Sequence, residues 1–183
     1  MLSASERTSR MLCLMFWLLL GSSLAIAQTS APSLAEGDAA FLPQVVDSYG
    51  DPVDLAAIVA EGQWLVLWFY PQAMTSGCSA QASRYTDLYP DFTALGARVF
   101  GVSADTPESQ CEFIESMALA GQMIPDVDRS MARAYGIDGF FFSRDTVLIN
   151  PQGRVQRIWR RVSPLEDADR VLEYLQQQMV SSY

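Results

Sequence analysis

Residues 64–78 read WLVLWFYPQAMTSGC and set the architecture of the chain. The first seven, Trp64 to Tyr70, are all apolar, and they lie between Gly62 and Pro71. An uninterrupted run of this length, rich in aromatic residues, predicts a strand that is buried on both faces. A loop over 71–77 and a helix from Cys78 follow, so the sequence predicts a cysteine at a strand-to-helix turn.

The segments on either side of this stretch alternate between strands and helices. Further strands are predicted over 41–46, 98–103, 146–150 and 154–162, the last two forming a hairpin. Helices are predicted over 54–60, 78–95 with a kink or break at Pro90, 106–119, 130–135 and 167–179. This order predicts an α/β fold with a central mixed β-sheet flanked by helices, compatible with a thioredoxin-like fold.

The composition excludes several classes of active site. The chain has 183 residues, of which 50% are hydrophobic and 18% are charged, which is typical of a folded domain with a tail. It contains no His, and all 12 of its basic residues are Arg. Ser-His-Asp triads, Cys-His dyads, His-ligated zinc, Walker A lysines and Schiff bases are therefore excluded. With 21 acidic residues the net charge is −9, so no nucleic-acid partner is expected.

The first 27 residues have the pattern of a secretory signal peptide. Arg7 and Arg10 precede an unbroken apolar run over 11–20, and residues 25–27 (AIA) form a small-x-small cleavage site. The alternative is an uncleaved membrane anchor, which usually needs ~20 apolar residues. The pattern predicts an exported, periplasmic protein with no stable membrane insertion after cleavage.

The remainder divides into a linker and one domain. Residues 28–40 are small and polar and predict a flexible linker, whereas 41–183 are predicted to form one thioredoxin-like domain. After cleavage the chain keeps two cysteines, Cys78 and Cys111. Two cysteines in an oxidising compartment suggest a pair.

The predicted position of Cys78 favours its reactive form. A helix N-terminus offers unpaired N–H groups and a positive partial charge, both of which stabilise a thiolate. Gly77 lets the backbone approach closely, and Thr75 can direct a hydroxyl at the sulfur. The alternative is that Cys78 is a small buried apolar residue, as free cysteines usually are.

Residues 71–78 follow the pattern P-x-x-x-T-x-x-C, which resembles the active-site signature of the peroxiredoxins. The flanking sequence over 64–105 resembles the peroxiredoxin Q branch, also called bacterioferritin comigratory proteins. The similarity continues in SMARAYGI (130–137) and SRDTVLINPQGRV (143–155), and it covers roughly residues 41–178.

The resemblance implies roles for four residues. Cys78 corresponds to the peroxidatic cysteine, which attacks a peroxide and becomes a sulfenic acid. Thr75 corresponds to a hydrogen-bonding partner of sulfur and peroxide, and Pro71 to a residue that shapes and shields the pocket. Arg144 corresponds to the arginine that stabilises the thiolate and orients the peroxide. The resemblance also implies a peroxide substrate, a thioredoxin-like or other thiol reductant, a monomer or weak dimer, and no metal or haem cofactor.

The sequence departs from the family pattern at two places. Many members carry a resolving cysteine five residues after the first, where this chain has Ser83. Cys111 lies 33 residues downstream, in the predicted helix 106–119, where some members of this branch place that cysteine. Either Cys111 resolves the sulfenic acid, or an external thiol does. The second departure is Gln81, at a position where the family usually has Glu. The sequence alone does not show whether Gln81 makes the hydrogen bond expected at the helix terminus.

Two other functions are compatible with the sequence. An exported thioredoxin-like thiol:disulfide oxidoreductase is expected to carry C-x-x-C, but the first position of that pattern is Thr75. A secreted binding domain would use Cys78 and Cys111 as a structural disulfide. Such a bond resists mild reductant, whereas a catalytic disulfide is labile.

Overall fold

The structure is a computed structural model that describes residues 33–137 and 141–181. The predicted signal peptide and the linker as far as residue 32 lie outside the described residues. Within the described residues, no helix is both long enough and apolar enough to cross a membrane.

Five strands form one mixed sheet. They are β3 (Trp64–Phe69), β4 (Ala97–Ser103), β5 (Gln122–Pro125), β6 (Asp145–Ile149) and β7 (Val155–Trp159). The order across the sheet is β5-β4-β3-β6-β7. Strands β3, β4 and β5 are parallel, and β6 is antiparallel to both of its neighbours. The predicted mixed sheet and the β6–β7 hairpin are confirmed.

Within residues 33–137 and 141–181, six helices and a short hairpin surround this sheet. The helices are α1 (Leu55–Ala60), α2 (Ser76–Asp87), α3 (Tyr89–Ala94), α4 (Pro107–Met117), α5 (Ser130–Ala134) and α6 (Asp167–Ser181). The hairpin pairs β1 (Gln44–Val46) with β2 (Pro52–Asp54). The predicted helix 78–95 divides at Leu88, because Pro90 lacks the N–H that a continuous helix requires.

Strand β3 is buried on both faces, as its apolar run predicts. Alternate residues enter two different cores, because successive side chains point to opposite faces of a sheet. Leu65, Leu67 and Phe69 belong to one core. Val66 and Trp68 belong to the other, which is shared with α2 and α6.

Aromatic stacking fixes α2 against the sheet. The Trp68 ring stacks on Tyr70 at 4.8 Å between centroids and on Tyr85 of α2 at 5.2 Å. Trp68 fits because its neighbour on β4 is Gly101, where a Cβ would come within 2.7 Å of the indole ring. This packing places the first turn of α2 beside the end of β3.

The structure corrects the predicted strands in four places. The first strand covers only Gln44–Val46 rather than 41–46, and β7 ends at Trp159 rather than at residue 162. Residues 52–54 form β2, although the predicted helix begins at Asp54, and β5 is absent from the predicted strands. Both missed strands contain a proline and are only three and four residues long, so they lack a periodic apolar pattern.

Candidate active site

The loop after β3 delivers Cys78 to the start of α2. Met74 adopts a left-handed conformation, with φ of 61°, and this turns the chain between strand and helix. Thr75 is the extended N-cap residue, and its carbonyl accepts the Ser79 N–H at 2.8 Å. Cys78 therefore lies in the first helical turn, where it is fully buried. The predicted strand-to-helix position of this cysteine is confirmed.

Arg144 contacts the sulfur of Cys78. Its Nη2 lies 3.4 Å from Sγ, although the two residues are 66 positions apart in sequence. The sheet explains the approach, because Phe69 at the end of β3 pairs with Asp145 at the start of β6. Arg144 consequently lies beside the loop that begins at Pro71. A guanidinium in this position stabilises negative charge on the sulfur.

Gly77 makes room for that contact. A Cβ at this position would come 3.2 Å from Arg144 Nη2 and 3.9 Å from Pro164 Cγ. The nitrogen that it would crowd is the one that faces Cys78. The glycine is therefore required by close approach rather than by an unusual backbone conformation.

The substitution Gly77→Ala is expected to slow the reaction of Cys78 with peroxide without destabilising the fold. The added methyl group displaces Arg144 Nη2, and a misplaced charged donor costs roughly tenfold or more in rate. Alanine is otherwise well tolerated in a helix. Rapid-mixing kinetics and thermal unfolding measure the two quantities. A variant that reacts as fast as wild type would show that the contact between Arg144 and Cys78 does not affect the rate of the reaction with peroxide.

Two other predicted site residues lie in the same loop. Pro71 is half-buried directly after β3. Thr75 is exposed, and its hydroxyl donates to the Gln72 carbonyl at 3.0 Å. The expected hydrogen bond is to the sulfur, so the structure records a different partner for this hydroxyl. The bond to Gln72 stabilises the turn that precedes the helix.

A chain of hydrogen bonds joins the loop to helix α4. The Ala73 N–H donates to Asp105 Oδ2 at 2.8 Å, and the Ser103 hydroxyl donates to the same oxygen at 2.8 Å. Gln110, fully buried in α4, donates its amide to the Ser103 hydroxyl at 2.8 Å. The loop that precedes Cys78 is thus tied to the helix that carries Cys111.

Cys111 lies at the far end of this series of hydrogen bonds. Ser48 donates its hydroxyl to Gln110 Oε1 at 2.8 Å, and the Ser48 carbonyl accepts the Cys111 thiol at 3.0 Å. Cys78 and Cys111 are both free thiols with different partners. A disulfide between them requires Cα atoms within ~7 Å. Its formation would replace the contact of Cys78 with Arg144 and the contact of Cys111 with the Ser48 carbonyl.

Cys111 borders an acidic groove of about 680 Å³. Burial raises the pKa of its thiol, and the charges of Glu115, Asp47 and Glu108 raise it further. Within 33–137 and 141–181, no three Cys, Asp or Glu side chains are grouped so that they could hold a metal ion. The groove therefore presents a half-buried thiol among acidic side chains.

The sequence did not identify Asp167 as part of the site. Arg144 Nη1 donates to Gln81 Oε1 at 2.5 Å, and Gln81 Nε2 donates to Asp167 Oδ2 at 2.7 Å. Gln81 therefore makes hydrogen bonds at the start of α2 although it replaces the usual Glu. A signal for Asp167 was present, because Asp167, Val171 and Leu175 lie four residues apart on one helix face and all are fully buried.

Comparisons with known proteins agree with this geometry. A family model described as the AhpC/TSA family matches residues 36–158. The chain is 34% identical to Peroxiredoxin Bcp of Xanthomonas campestris, over 62% of this chain and 77% of that protein. It is 32% identical to Peroxiredoxin Bcp of Bacillus subtilis, over 70% and 84%.

Solved structures of peroxiredoxins are also similar to this chain. Peroxiredoxin Q of Xanthomonas campestris is similar, with a TM-score of 0.70 at 30% identity, over 75% of this chain and 96% of that one. A bacterioferritin comigratory protein of the same organism, described for its alkyl peroxide reduction activity, has a TM-score of 0.71 at 30% identity. That match covers 77% of this chain and 99% of the other.

Proposed function

Since the chain belongs to the AhpC/TSA family and is a peroxiredoxin, we propose that it reduces hydrogen peroxide and organic hydroperoxides through Cys78. One observation carries the proposal. Arg144 Nη2 lies 3.4 Å from a cysteine sulfur in the first turn of a helix. The helix N-terminus and the guanidinium both favour the thiolate, which is the nucleophilic form of cysteine.

The first step transfers oxygen to the sulfur. The Cys78 thiolate attacks the terminal oxygen of the peroxide, an S–O bond forms and the O–O bond breaks. The sulfur is oxidised to a sulfenic acid, and the leaving oxygen takes a proton from solvent to become water or an alcohol. Arg144 donates hydrogen bonds toward the negative charge that develops during this step.

Cys111 is proposed to complete the cycle. Its thiolate attacks the sulfenic sulfur, an S–S bond forms, and hydroxide leaves and is protonated to water. An external thiol then reduces the disulfide, and a thioredoxin-like carrier is the reductant that we propose. This step breaks the present contacts of the two sulfurs, which are Arg144 for Cys78 and the Ser48 carbonyl for Cys111.

Intact mass spectrometry tests the function. Reduced protein is treated with one equivalent of hydrogen peroxide. The mass of wild type is expected to fall by two hydrogens as the disulfide forms. The mass of Cys111→Ser is expected to rise by one oxygen, and a sulfenic-acid trap is expected to label Cys78 in this variant. Oxidation of Cys78 without any disulfide in wild type would assign resolution to an external thiol. An unreacted Cys78 would contradict the peroxidase itself.

Disulfide formation is expected to accelerate as the pH rises. The pKa of Cys111 lies above that of an ordinary thiol because of burial and its acidic neighbours, so only a small fraction is ionised at neutral pH. That fraction increases about tenfold per pH unit until the pKa is reached. The slower phase after peroxide addition is therefore expected to speed up by about tenfold per pH unit between about pH 7 and pH 9.

The substitution Glu115→Gln tests whether ionisation of Cys111 causes this pH dependence. Removal of this charge lowers the pKa of Cys111, so the slower phase is expected to be faster than in wild type at neutral pH. Glu173→Gln on α6 makes the same change of net charge away from the groove and serves as the control. A phase that does not depend on pH, or equal rates in both variants, would argue against attack by Cys111.

Two further properties belong to the same proposal. The pattern of residues 1–27 supports export to the periplasm, which N-terminal sequencing of the mature protein tests. A monomer or weak dimer is proposed, and sedimentation of the reduced protein tests it. A thiol:disulfide oxidoreductase is not favoured, because Thr75 replaces the first cysteine of C-x-x-C and the relatives are peroxiredoxins.

A further inference from the structure

A buried glutamine directly precedes Cys111 in helix α4. The side chain of Gln110 is fully buried among polar partners. Its amide nitrogen donates to the Ser103 hydroxyl at 2.8 Å and to the Ile124 carbonyl at 3.1 Å. Because a backbone carbonyl can only accept a hydrogen bond, the nitrogen end of the amide must face Ile124. The oxygen end is therefore left for a donor, and that donor is Ser48.

Gln110 holds Ser48 against helix α4. The Ser48 hydroxyl donates to Gln110 Oε1 at 2.8 Å, although the two residues are 62 positions apart in sequence. The Ser48 N–H also donates to the Met123 carbonyl at 3.0 Å, which anchors the same residue to β5. Both side chains are buried, so water does not compete for the bond between them. The position of the Ser48 backbone relative to α4 is thereby fixed.

The Ser48 carbonyl is the hydrogen-bond partner of the Cys111 thiol. The distance between this oxygen and Sγ is 3.0 Å. Only the protonated sulfur can donate this bond, so the contact favours the thiol over the thiolate. The thiolate is the form that attacks electrophiles. A side chain that fixes the Ser48 carbonyl therefore also affects how readily Cys111 reacts.

The charged groups around Cys111 act in the same direction as this carbonyl. The titratable side chains near the thiol are Glu108, Glu112 and Glu115 on α4, and Asp47 and Tyr49 on either side of Ser48. Burial raises the pKa of the thiol, and the charges of Glu115, Asp47 and Glu108 raise it further. A substitution of Gln110 leaves all of these charges in the chain, so it isolates the effect of the carbonyl contact.

We infer that Gln110 is a positioning residue for Cys111. By holding Ser48, it keeps the carbonyl of that residue on the thiol and restrains Cys111 in a hydrogen-bonded, protonated form. The restraint protects Cys111 from direct oxidation by peroxide, so that the sulfenic acid on Cys78 is its first reaction partner. The inference rests on the proposed role of Cys111 in the cycle, and it assigns to Gln110 an effect on the reactivity of that thiol.

The substitution Gln110→Leu tests the inference in a Cys78→Ser background. Leucine is similar in size but removes the hydrogen bond to Ser48. Alkylation of Cys111 by iodoacetamide, an uncharged reagent, is followed against pH, and peptide mapping confirms the labelled residue. The rate at neutral pH is expected to rise roughly three- to tenfold, with a matching downward shift of the midpoint of the profile. A profile that coincides with that of Cys78→Ser alone would overturn the inference.

Gln156→Leu in the same background is the matched control. Gln156 is a partly buried glutamine on β7 whose amide bonds to Asn150 and Tyr174 rather than to the segment around Ser48. This variant is expected to keep the alkylation profile of its parent. Thermal unfolding of both variants is measured beside it. An equal rise in both variants would show that a general loss of stability exposes Cys111, and would overturn the role of Gln110.

Two substitutions at Ser48 serve if Gln110→Leu does not fold. Ser48→Ala removes the same hydrogen bond from the other side, and the same rise in the alkylation rate is expected. Ser48→Thr retains the hydroxyl and is expected to restore the profile of the parent. An unchanged profile in folded Ser48→Ala, or equal profiles in the two Ser48 variants, would likewise overturn the inference.

A separate measurement decides the proposed role of Cys111. Wild-type protein and Gln110→Leu with Cys78 intact are treated with hydrogen peroxide, and formation of the disulfide is followed by mass. The disulfide is expected to form faster in Gln110→Leu at neutral pH, by the factor found for alkylation. If wild type forms no disulfide, resolution by Cys111 fails, whereas the alkylation profiles still decide whether Gln110 restrains the thiol.

Discussion

Replacement of Cys78 by serine is expected to abolish peroxide reduction, with a loss of at least about a thousand-fold in rate. A serine hydroxyl is not ionised at neutral pH, so the nucleophile that attacks the peroxide is lost. A thousand-fold corresponds to about 4 kcal/mol of lost transition-state stabilisation. Peroxide consumption in the presence of excess thiol reductant measures the effect.

Cys111→Ser is the matched control for this variant. It removes the other described thiol and leaves the contact between Arg144 and Cys78 unchanged. The first oxidation of Cys78 is expected to keep the wild-type rate in this control. Residual turnover by Cys78→Ser at a substantial fraction of wild type would place the peroxidase chemistry elsewhere in the chain.

Arg144→Met is expected to lower the rate of peroxide reduction roughly 100–1000-fold, which is the usual cost of removing one charged donor from a transition state. Methionine retains much of the volume of the side chain but removes the hydrogen bonds to Cys78 and Gln81. The buried Gln81 carbonyl then loses a partner, so a modest loss of stability is also expected. Second-order rate constants and thermal unfolding of the same sample separate the two effects.

The control for this variant is Arg157→Met. Arg157 lies on the exposed side of β7 and pairs with Glu36 at 3.5 Å. Its replacement by methionine makes the same change in net charge as Arg144→Met, but at the surface. Exposed ion pairs contribute little to stability. Equal rate losses in the two variants would mean that net charge, rather than contact with the sulfur, sets the reactivity.

The sequence predicts the parts of the fold that have long patterns. The apolar run of β3, the proline that divides α2 from α3 and the turn between β6 and β7 each have a local physical cause, and each prediction is confirmed. Strands β2 and β5 have no such pattern. Their positions depend on hydrogen bonds to β1 and β4, which are tertiary contacts and are not visible in a single segment.

The same distinction applies to the site. The position of Cys78 follows from the strand-to-helix pattern, whereas Arg144 was identified only through resemblance to a family. Its approach depends on the pairing of Phe69 with Asp145 across the sheet. In sequence, Asp167 resembles its acidic neighbours Glu166, which is exposed, and Asp169, which is half-buried. Only its register with the buried face of α6 sets it apart.

The most direct measurement compares the two thiols of one molecule. Reduced wild-type protein receives less than one equivalent of hydrogen peroxide with a sulfenic-acid trap, and peptide mapping then locates the trapped oxygen. Cys78 is fully buried and Cys111 is half-buried, so exposure alone favours Cys111. Because Arg144 and the helix N-terminus act on Cys78, trapped oxygen is expected there at least about 100-fold more often. Equal labelling, or preferential labelling of Cys111, would contradict the assignment of Cys78 as the peroxide-reactive cysteine.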